Sequence, residues 1–425
     1  MNAFENLRKK ILQKSLEVSL IGFGAAGLFQ GIEFCMAGFA VHGIDKSLEK
    51  VQMLNSGKSY VSDIPESDLV PLLKSGKLKC SQDYEAINSA DVVVISVSTF
   101  LDKTSQPVLS DVLSASQEVV KRLKNGHLIL VKSTVPVKTT EEKILPILHE
   151  RGLKVGRDFF LSYSPERFDV GNRKYLSQPI RVIGGVTERC GKISQILYEQ
   201  MSSEVILTSP AVAEMAKLFE NSFRFVNISL VNELMLICDN MNINVWNVLD
   251  AAATKLGFVK FSPGPGIGGP YVPINAQYLL WSAKQVGIHP EILSAAIRTN
   301  KKMPDKIVEK ITKVLGSKGK KLENSRIFVL GVTYKKDSND FRGSPALSVI
   351  STLISRNVDV EYHDPHCPSL LIEDRKLVSR KISDSLIKES DCIVIMTDHT
   401  VFRNYYSQIR RFAKNVIDAK NVLSS

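Results

Sequence analysis

Apolar residues in the first half of the chain fall into short β-rich runs separated by stretches of helical spacing. Residues 1–16 carry Phe4, Leu7 and Ile11 at helical spacing with lysines between, which predicts a short amphipathic surface helix. Residues 18–21 read as a buried strand that runs into Gly22-Phe-Gly24-Ala-Ala-Gly27. A helix follows, and residues 39–44 form the next strand, ending at Asp45, so the segment is a βαβ unit. Further apolar runs lie at 92–97, 128–131, 159–161, 181–183 and 205–207, with helical patterns between several of them. The pattern predicts an open, mostly parallel sheet with helices on both faces.

Ser209-Pro210 reads as a helix start, with serine capping and proline in the first turn. No glycine or proline occurs from 211 to 240. Such a helix would be roughly 45 Å long. That exceeds the surface of one domain, so it joins two domains or forms a dimer interface. A second helical stretch, 245–253, precedes a glycine-rich loop, and a linker rich in Gly, Ser and Lys spans 316–324. Residues 326–330 then open a second strand–helix–strand unit, with later strands at 358–362, 392–396 and 416–417. The expected fold class is α/β: two Rossmann-like doubly wound domains bridged by a long central helix and a helical middle domain. The expected boundaries are 1–208, 209–305 and 306–425.

The 425 residues are 44% hydrophobic and 23% charged, which is ordinary for a soluble globular protein. No apolar run approaches the ~18–20 residues of a membrane span. The first residues lack a signal peptide's apolar core, so a cytoplasmic protein is expected. Six cysteines, at 35, 80, 190, 238, 367 and 392, form no CxxC pair, which fits a reducing compartment. The net charge of +11 suits an anionic ligand such as a nucleotide diphosphate, and equally a solvated lysine surface. No dense basic tract with interleaved aromatics argues for nucleic acid.

Gly22, Gly24 and Gly27 match G-x-G-x-x-G between a strand and a helix. The glycines allow a tight turn, close backbone approach to a pyrophosphate and close helix–strand packing. Asp45 at the tip of the second strand would accept from ribose hydroxyls and repel a 2′-phosphate, favouring NAD over NADP. The alternative is a glycine-rich turn in a cofactor-free α/β domain. His363-Asp-Pro-His366-Cys367 could be metal ligands, but no HExxH, CxxC pair or nucleophile elbow accompanies it, and no metal is expected.

Residues 158–172 are similar to DFFLAxSPERxxPGN, 213–227 to AEMxKLxENxFRxVN, and 329–345 to GxAYKKDxxDxRxSP, and with these stretches the chain resembles the UDP-glucose/GDP-mannose dehydrogenase family. The leader helix and Ser62-Asp-Ile-Pro65 look most like the branch that oxidises UDP-N-acetylhexosamines. The resemblance implies NAD as cofactor, a nucleotide-diphospho-sugar substrate with UDP ahead of GDP, and a homodimer or higher oligomer. Carried over by position, Lys217 and Asn221 would hold the C6 oxygen, and Thr134 and Glu166 would position water and handle protons. Glu166 and Arg167 could instead be a structural ion pair. Val97 and Thr99, where the family has VPTPL, would lie near the nicotinamide. Phe261, Gly264, Gly266, Gly268 and Gly269 would wrap the sugar nucleotide. Lys335 would join them, and Arg342 would reach the substrate from a partner subunit.

The segment Phe261-Ser-Pro-Gly-Pro-Gly-Ile-Gly-Gly-Pro-Tyr-Val-Pro-Ile-Asn275 resembles the family's GPGxGGHCIPxDPxYL, with three changes. Pro270 stands for the His, Tyr271 for the Cys and Asn275 for the Asp. The family's cysteine carries a thiohemiacetal and a thioester through two oxidations. A phenol of pKa ~10 cannot easily replace that thiolate. The family's PGTT is here Val137-Lys-Thr-Thr140, and its TKPFGFMPFYPGPG is one residue shorter at 254–266. The expected reaction is therefore one reversible hydride transfer at C6. The aldehyde formed would allow C5 epimerisation, with Tyr271 or Glu166 as base. The alternatives are a 6-dehydrogenase that forms the uronic acid despite the loop, and a non-catalytic nucleotide-sugar-binding subunit.

Overall fold

The computed structural model describes residues 2–61, 64–167, 180–202 and 204–423. Ser62 and Asp63, and residues 168–172 of the 158–172 motif, lie outside the described residues. The chain divides into two compact units, Met1–Glu220 with Gln277–Val286, and Asn221–Ala276 with Gly287–Ser425.

The first unit holds β1 (Glu17–Ile21), β2 (Ala40–Ile44), β3 (Leu78–Ser81) and β4 (Val92–Ile95). A hairpin of β5 (Phe100–Leu101) and β6 (Pro107–Val108) follows. Then come β7 (Leu128–Val131), β8 (Phe160–Tyr163), β9 (Arg181–Gly185) and β10 (Val205–Thr208). They form one eight-stranded sheet in the order β10-β9-β8-β7-β4-β1-β2-β3. Its pairs are parallel except β8 with β9. Chain order reverses between β1 and β4, which places a ligand-binding switch point at their carboxyl ends. Every residue of β4 and β7 is buried, as strands covered on both faces require. Side chains alternate: Leu20, Val92, Val94 and Leu128 enter one apolar layer, while Ile21, Val93, Ile95 and Ile129 enter the other.

The leader is a helix, Ala3–Leu12, capped by Asn2, whose side chain accepts from the Glu5 amide at 3.0 Å. Leu7 and Ile11 are buried, and Phe4 meets Phe160 edge-on at 5.9 Å. β3 was not expected from the sequence, nor were the hairpins. β3 is four residues with polar Lys79 and Ser81 alternating outward, so it lacks an apolar run.

The long helix runs Pro210–Met241, begins in the first unit and ends in the second. The second unit contains β11 (Arg326–Leu330), β12 (Asp359–His363), a hairpin of β13 (Ser369–Ile372) and β14 (Arg375–Val378), then β15 (Cys392–Ile395) and β16 (Val416–Asp418). Its main sheet is parallel, in the order β12-β11-β15-β16. The expected boundary after residue 305 falls inside a single helix, Glu291–Gly316, which continues past Pro304. Met303, Ile307, Val308, Ile311 and Leu315 bury one helical stripe through that point. No helix among the described residues is long and apolar enough to cross a membrane.

Ile11 is fully buried. Ile11→Ala should therefore cost about 3 kcal/mol of unfolding free energy, read from the urea midpoint.

Candidate active site

In the first unit, β1 ends at Gly22, whose amide donates to the Ile44 carbonyl at 2.8 Å and whose φ is +95°. A Cβ there would lie 2.6 Å from the Ser96 carbonyl oxygen, and one on Gly27 would lie 2.0 Å from the Gly22 oxygen. A Cβ on Gly24 would meet nothing within 4 Å. Gly22 and Gly27 are thus required by packing. Gly24 leaves open space at the N-terminus of the helix Ala25–Met36, where unpaired amides favour an anion. These residues fit a dinucleotide pyrophosphate.

Asp45 is largely buried and holds this turn. Its Oδ2 accepts from the Phe23 amide and its Oδ1 from the Ser47 amide, both at 2.9 Å. Lys50 lies 3.6 Å away, and the Tyr60 hydroxyl donates to the Phe23 carbonyl. A carboxylate has about four acceptor positions, so capacity remains for ribose hydroxyls. The loops after β4 and β7 are laced together. Ser133 donates to the Val97 carbonyl at 2.7 Å, and Thr99 donates to the Thr134 carbonyl at 2.8 Å.

Glu166 follows β8. Its carboxylate lies 3.2 Å from Lys132 Nζ and 3.9 Å from Arg181, and accepts from the Arg167 amide at 2.9 Å. Lys132 is completely buried and stands 5.5 Å from the Tyr198 ring, as does Arg181, which also pairs with Glu33. The Arg167 guanidinium turns instead to Glu220 at 2.8 Å, so the side-chain pair of Glu166 with Arg167 is corrected. The physical reason is that two buried cations already face Glu166. Lys217 is half-buried on the long helix. Burial pushes its pKa below the ordinary lysine value, Glu166 and Glu220 oppose that, and Arg167 and Lys132 add to it. Asn221 is buried one turn further along the same helix.

Sequence reasoning missed Lys132 and Arg181. The available signal was a lysine directly following the apolar run 128–131, at a strand end where a charge needs a partner.

In the second unit the glycine loop is fastened by two asparagines. Asn232, buried on the long helix, accepts from the Gly264 amide at 2.8 Å. Asn300 accepts from the Ile267 amide at 2.6 Å and donates to its carbonyl at 3.2 Å. Side chains are excluded along the loop: a Cβ on Gly268 would lie 2.7 Å from the Gly343 oxygen, and one on Gly269 would lie 2.6 Å from the Tyr334 ring. Gly266 adopts φ +128°. Phe261 meets Phe223 edge-on at 6.1 Å. Lys420, also missed, brings its Nζ within 3.1 Å of a Cβ built on Gly264. Burial lowers its pKa, with Asp398 opposing. Lys335 is half-buried, and Arg342 forks onto Asp340 at 2.9 and 2.6 Å.

Tyr271 is exposed, and its carbonyl accepts from the Asn275 amide at 2.9 Å as the helix Val272–Gln285 begins. Asn275 is buried, and its Nδ2 has no hydrogen-bond partner among the described residues. All six cysteines are buried free thiols. Burial pushes Cys35, Cys80 and Cys392 up to about 12 and Cys367 to about 11.

Asp337, His366 and His399 bring ligand atoms within 4.8 Å of one another. His399 is already committed: Nδ1 accepts from the Asp337 amide at 3.0 Å, so Nε2 carries the hydrogen and faces Asp364 at 3.0 Å. His363 faces Ser379 at 3.2 Å. These bonds leave the His363–Cys367 segment as a hydrogen-bonded turn.

The family pattern matches over three consecutive segments: the NAD binding domain at 16–202, the central domain at 211–302 and the UDP binding domain at 328–425. This chain belongs to the UDP-glucose/GDP-mannose dehydrogenase family. As a member carrying the NAD binding domain, it uses NAD as cofactor. It is similar to the UDP-N-acetyl-D-mannosamine dehydrogenase of Methanococcus aeolicus, 31% identical over 98% of this chain and 93% of that protein. It is also similar to the UDP-N-acetyl-D-glucosamine 6-dehydrogenase of Salmonella typhi, 30% identical over 96% of each. Among solved structures, the UDP-D-ManNAc dehydrogenase of Pyrococcus horikoshii superposes with a TM-score of 0.88 at 31% identity, over 96% of each chain.

For this family member, Gly24→Ala should change stability by less than about 1 kcal/mol yet weaken NADH binding at least about tenfold. Gly27→Ala, forced against the Gly22 oxygen, should cost about 2–3 kcal/mol. Thermal unfolding and NADH fluorescence titration separate the two.

Proposed function

We propose that the chain removes hydride from C6 of a UDP-activated N-acetylhexosamine, in the frame of a nucleotide-sugar 6-dehydrogenase. The observation that carries this reading is the family match across all three domains with the cofactor turn intact. The relatives' named substrates supply the sugar class. NAD supplies the hydride acceptor. Lys217 and Asn221 hold the C6 oxygen, and the ammonium stabilises the charge that develops as the hydroxyl proton leaves. Glu166, set between Lys132 and Arg181, and Thr134 orient water. The loop from Phe261 through Gly269 and Lys335 wraps the nucleotide sugar, and Arg342 serves the site of a neighbouring copy. Asn275 and Tyr271 stand at the reacting end. In the first step C6–H leaves as hydride and O6–H as a proton, giving an aldehyde. In the full dehydrogenase reaction the hydrated aldehyde loses a second hydride to a second NAD, giving the carboxylate.

A second reading has its own observation. All six cysteines of the chain are buried, and the motif resemblance sets Tyr271 against the family's cysteine. Without a thiohemiacetal, reaction stops at the aldehyde, and loss and return of the C5 proton followed by hydride return epimerises C5. Incubation of the protein with UDP-N-acetylglucosamine, UDP-N-acetylmannosamine and NAD in D₂O separates the readings. Two NADH per sugar with acid formation supports the dehydrogenase. Deuterium at C5 without net NADH supports the epimerase. Binding without either favours the non-catalytic alternative and rules out both.

The long helix exposes Val212, Met215, Phe219, Phe223, Leu230, Ile237 and Met241 at helical spacing. A second copy of the chain is the proposed cover for this stripe. Replacing Phe219 and Leu230 together with glutamate should convert a dimer to a monomer in light scattering. A monomeric parent chain would refute the pairing.

A further inference from the structure

Within that reading, we infer that Glu214 is a positioning residue: it clasps the turn that follows Thr134 to the helix that presents Lys217. Glu214 lies in the first turns of the helix Pro210–Met241 and is completely buried. Its Oε2 accepts from the Lys138 amide at 2.5 Å, and its Oε1 accepts from the Thr140 amide at 2.9 Å and from the Thr140 hydroxyl at 2.6 Å. One carboxylate thus satisfies three donors of a turn far away in sequence.

The turn needs this acceptor. Lys138 adopts φ +71°, a left-handed conformation that costs a non-glycine residue roughly 1–2 kcal/mol. Thr139 closes the turn by donating to the Pro136 carbonyl at 2.6 Å. Buried amides left without an acceptor would cost about 1–3 kcal/mol each. Lys132, Ser133 and Thr134 lead directly into this turn, while Lys217 lies three residues beyond Glu214, on the next helical turn. Glu214 therefore sets the spacing between the strand-end loop and the lysine helix, both within the first unit.

The clasp is also tunable by pH. Burial is the first cause that pushes the Glu214 pKa up, to about 7, while its three hydrogen bonds oppose the rise and Glu141 adds to it. Among the described residues no cation forms an ion pair with it. Tyr163 on β8 has its own pKa raised by burial and by Glu214. The Lys138 ammonium points to Glu142 at 3.6 Å. Above pH 7 the carboxylate is ionised and accepts all three bonds. The three bonds hold the pKa below where burial alone would put it, so while Glu214 stays buried they favour the ionised form, and the clasp weakens as the carboxyl takes up a proton below pH 7.

Amide hydrogen exchange of the segment 135–141 in the full unliganded chain tests the clasp, with NADH affinity as the second readout. Between pH 8 and pH 6, after correction for intrinsic exchange, protection at Lys138 and Thr140 should fall roughly tenfold, following the ionised fraction. NADH affinity should fall at least about threefold over the same range. Glu214→Gln, which keeps the shape but turns an N–H towards the Lys138 amide, should show the released values at every pH. Thr140→Val, which removes one bond of three, should be intermediate. Protection unchanged in Glu214→Gln, or independent of pH in the parent, overturns the clasp. Protection that responds while NADH affinity stays flat in the parent overturns the positioning role. Neither readout uses a sugar substrate, so a failure of the proposed C6 chemistry would show separately, as no turnover in an otherwise responsive protein.

Discussion

One interaction is used twice in this chain: a carboxylate at the end of the second strand holds the turn at the end of the first. In the first unit Asp45 accepts from the Phe23 amide beyond β1. In the second, Asp364 accepts from the Val332 and Thr333 amides beyond β11, at 2.7 and 3.2 Å. Both turns open on a glycine in the left-handed region, Gly22 at φ +95° and Gly331 at φ +83°. Such a turn directs successive amides to one side, and buried amides must find an acceptor. The clasp therefore fixes where each sheet's carboxyl edge opens.

The two clasps then diverge. After Gly22 the helix begins at once, at Ala25, and Gly24 leaves its amides accessible. After Gly331 the chain wanders through Tyr334 and Arg342 before a helix starts at Pro345. The first arrangement suits a pyrophosphate. The second uses the intervening residues as a bed for the glycine loop, with Tyr334 and Gly343 so close to Gly268 and Gly269 that no side chain could be added there.

Charge is handled by pairing inside the fold. Lys132 and Arg181 would each cost several kcal/mol if buried alone. Glu166 and Glu33 face them, and Tyr198 receives both cations on its ring. Glu166 is thereby held as part of a buried ion-pair network. The buried thiols stand apart from this chemistry: burial raises the pKa of Cys35, Cys80, Cys367 and Cys392 and so suppresses the thiolate that a nucleophile needs.

The sequence by itself determined the buried central strands, the G-x-G-x-x-G turn with Asp45, and the long helix from Ser209-Pro210. Each of these rests on local periodicity, backbone permissiveness or capping, which neighbouring residues encode. The family motifs likewise made the family itself legible, and the match over three segments bears that out. Only the tertiary structure decided the short β3, the antiparallel β8–β9 pair, and the surroundings of Arg167, Lys132, Lys420 and Glu214. Those depend on groups that meet across long sequence separations, such as Glu214 with Thr140 at 74 residues. A buried charge or amide is satisfied by whatever the fold brings to it, and no local pattern records that choice.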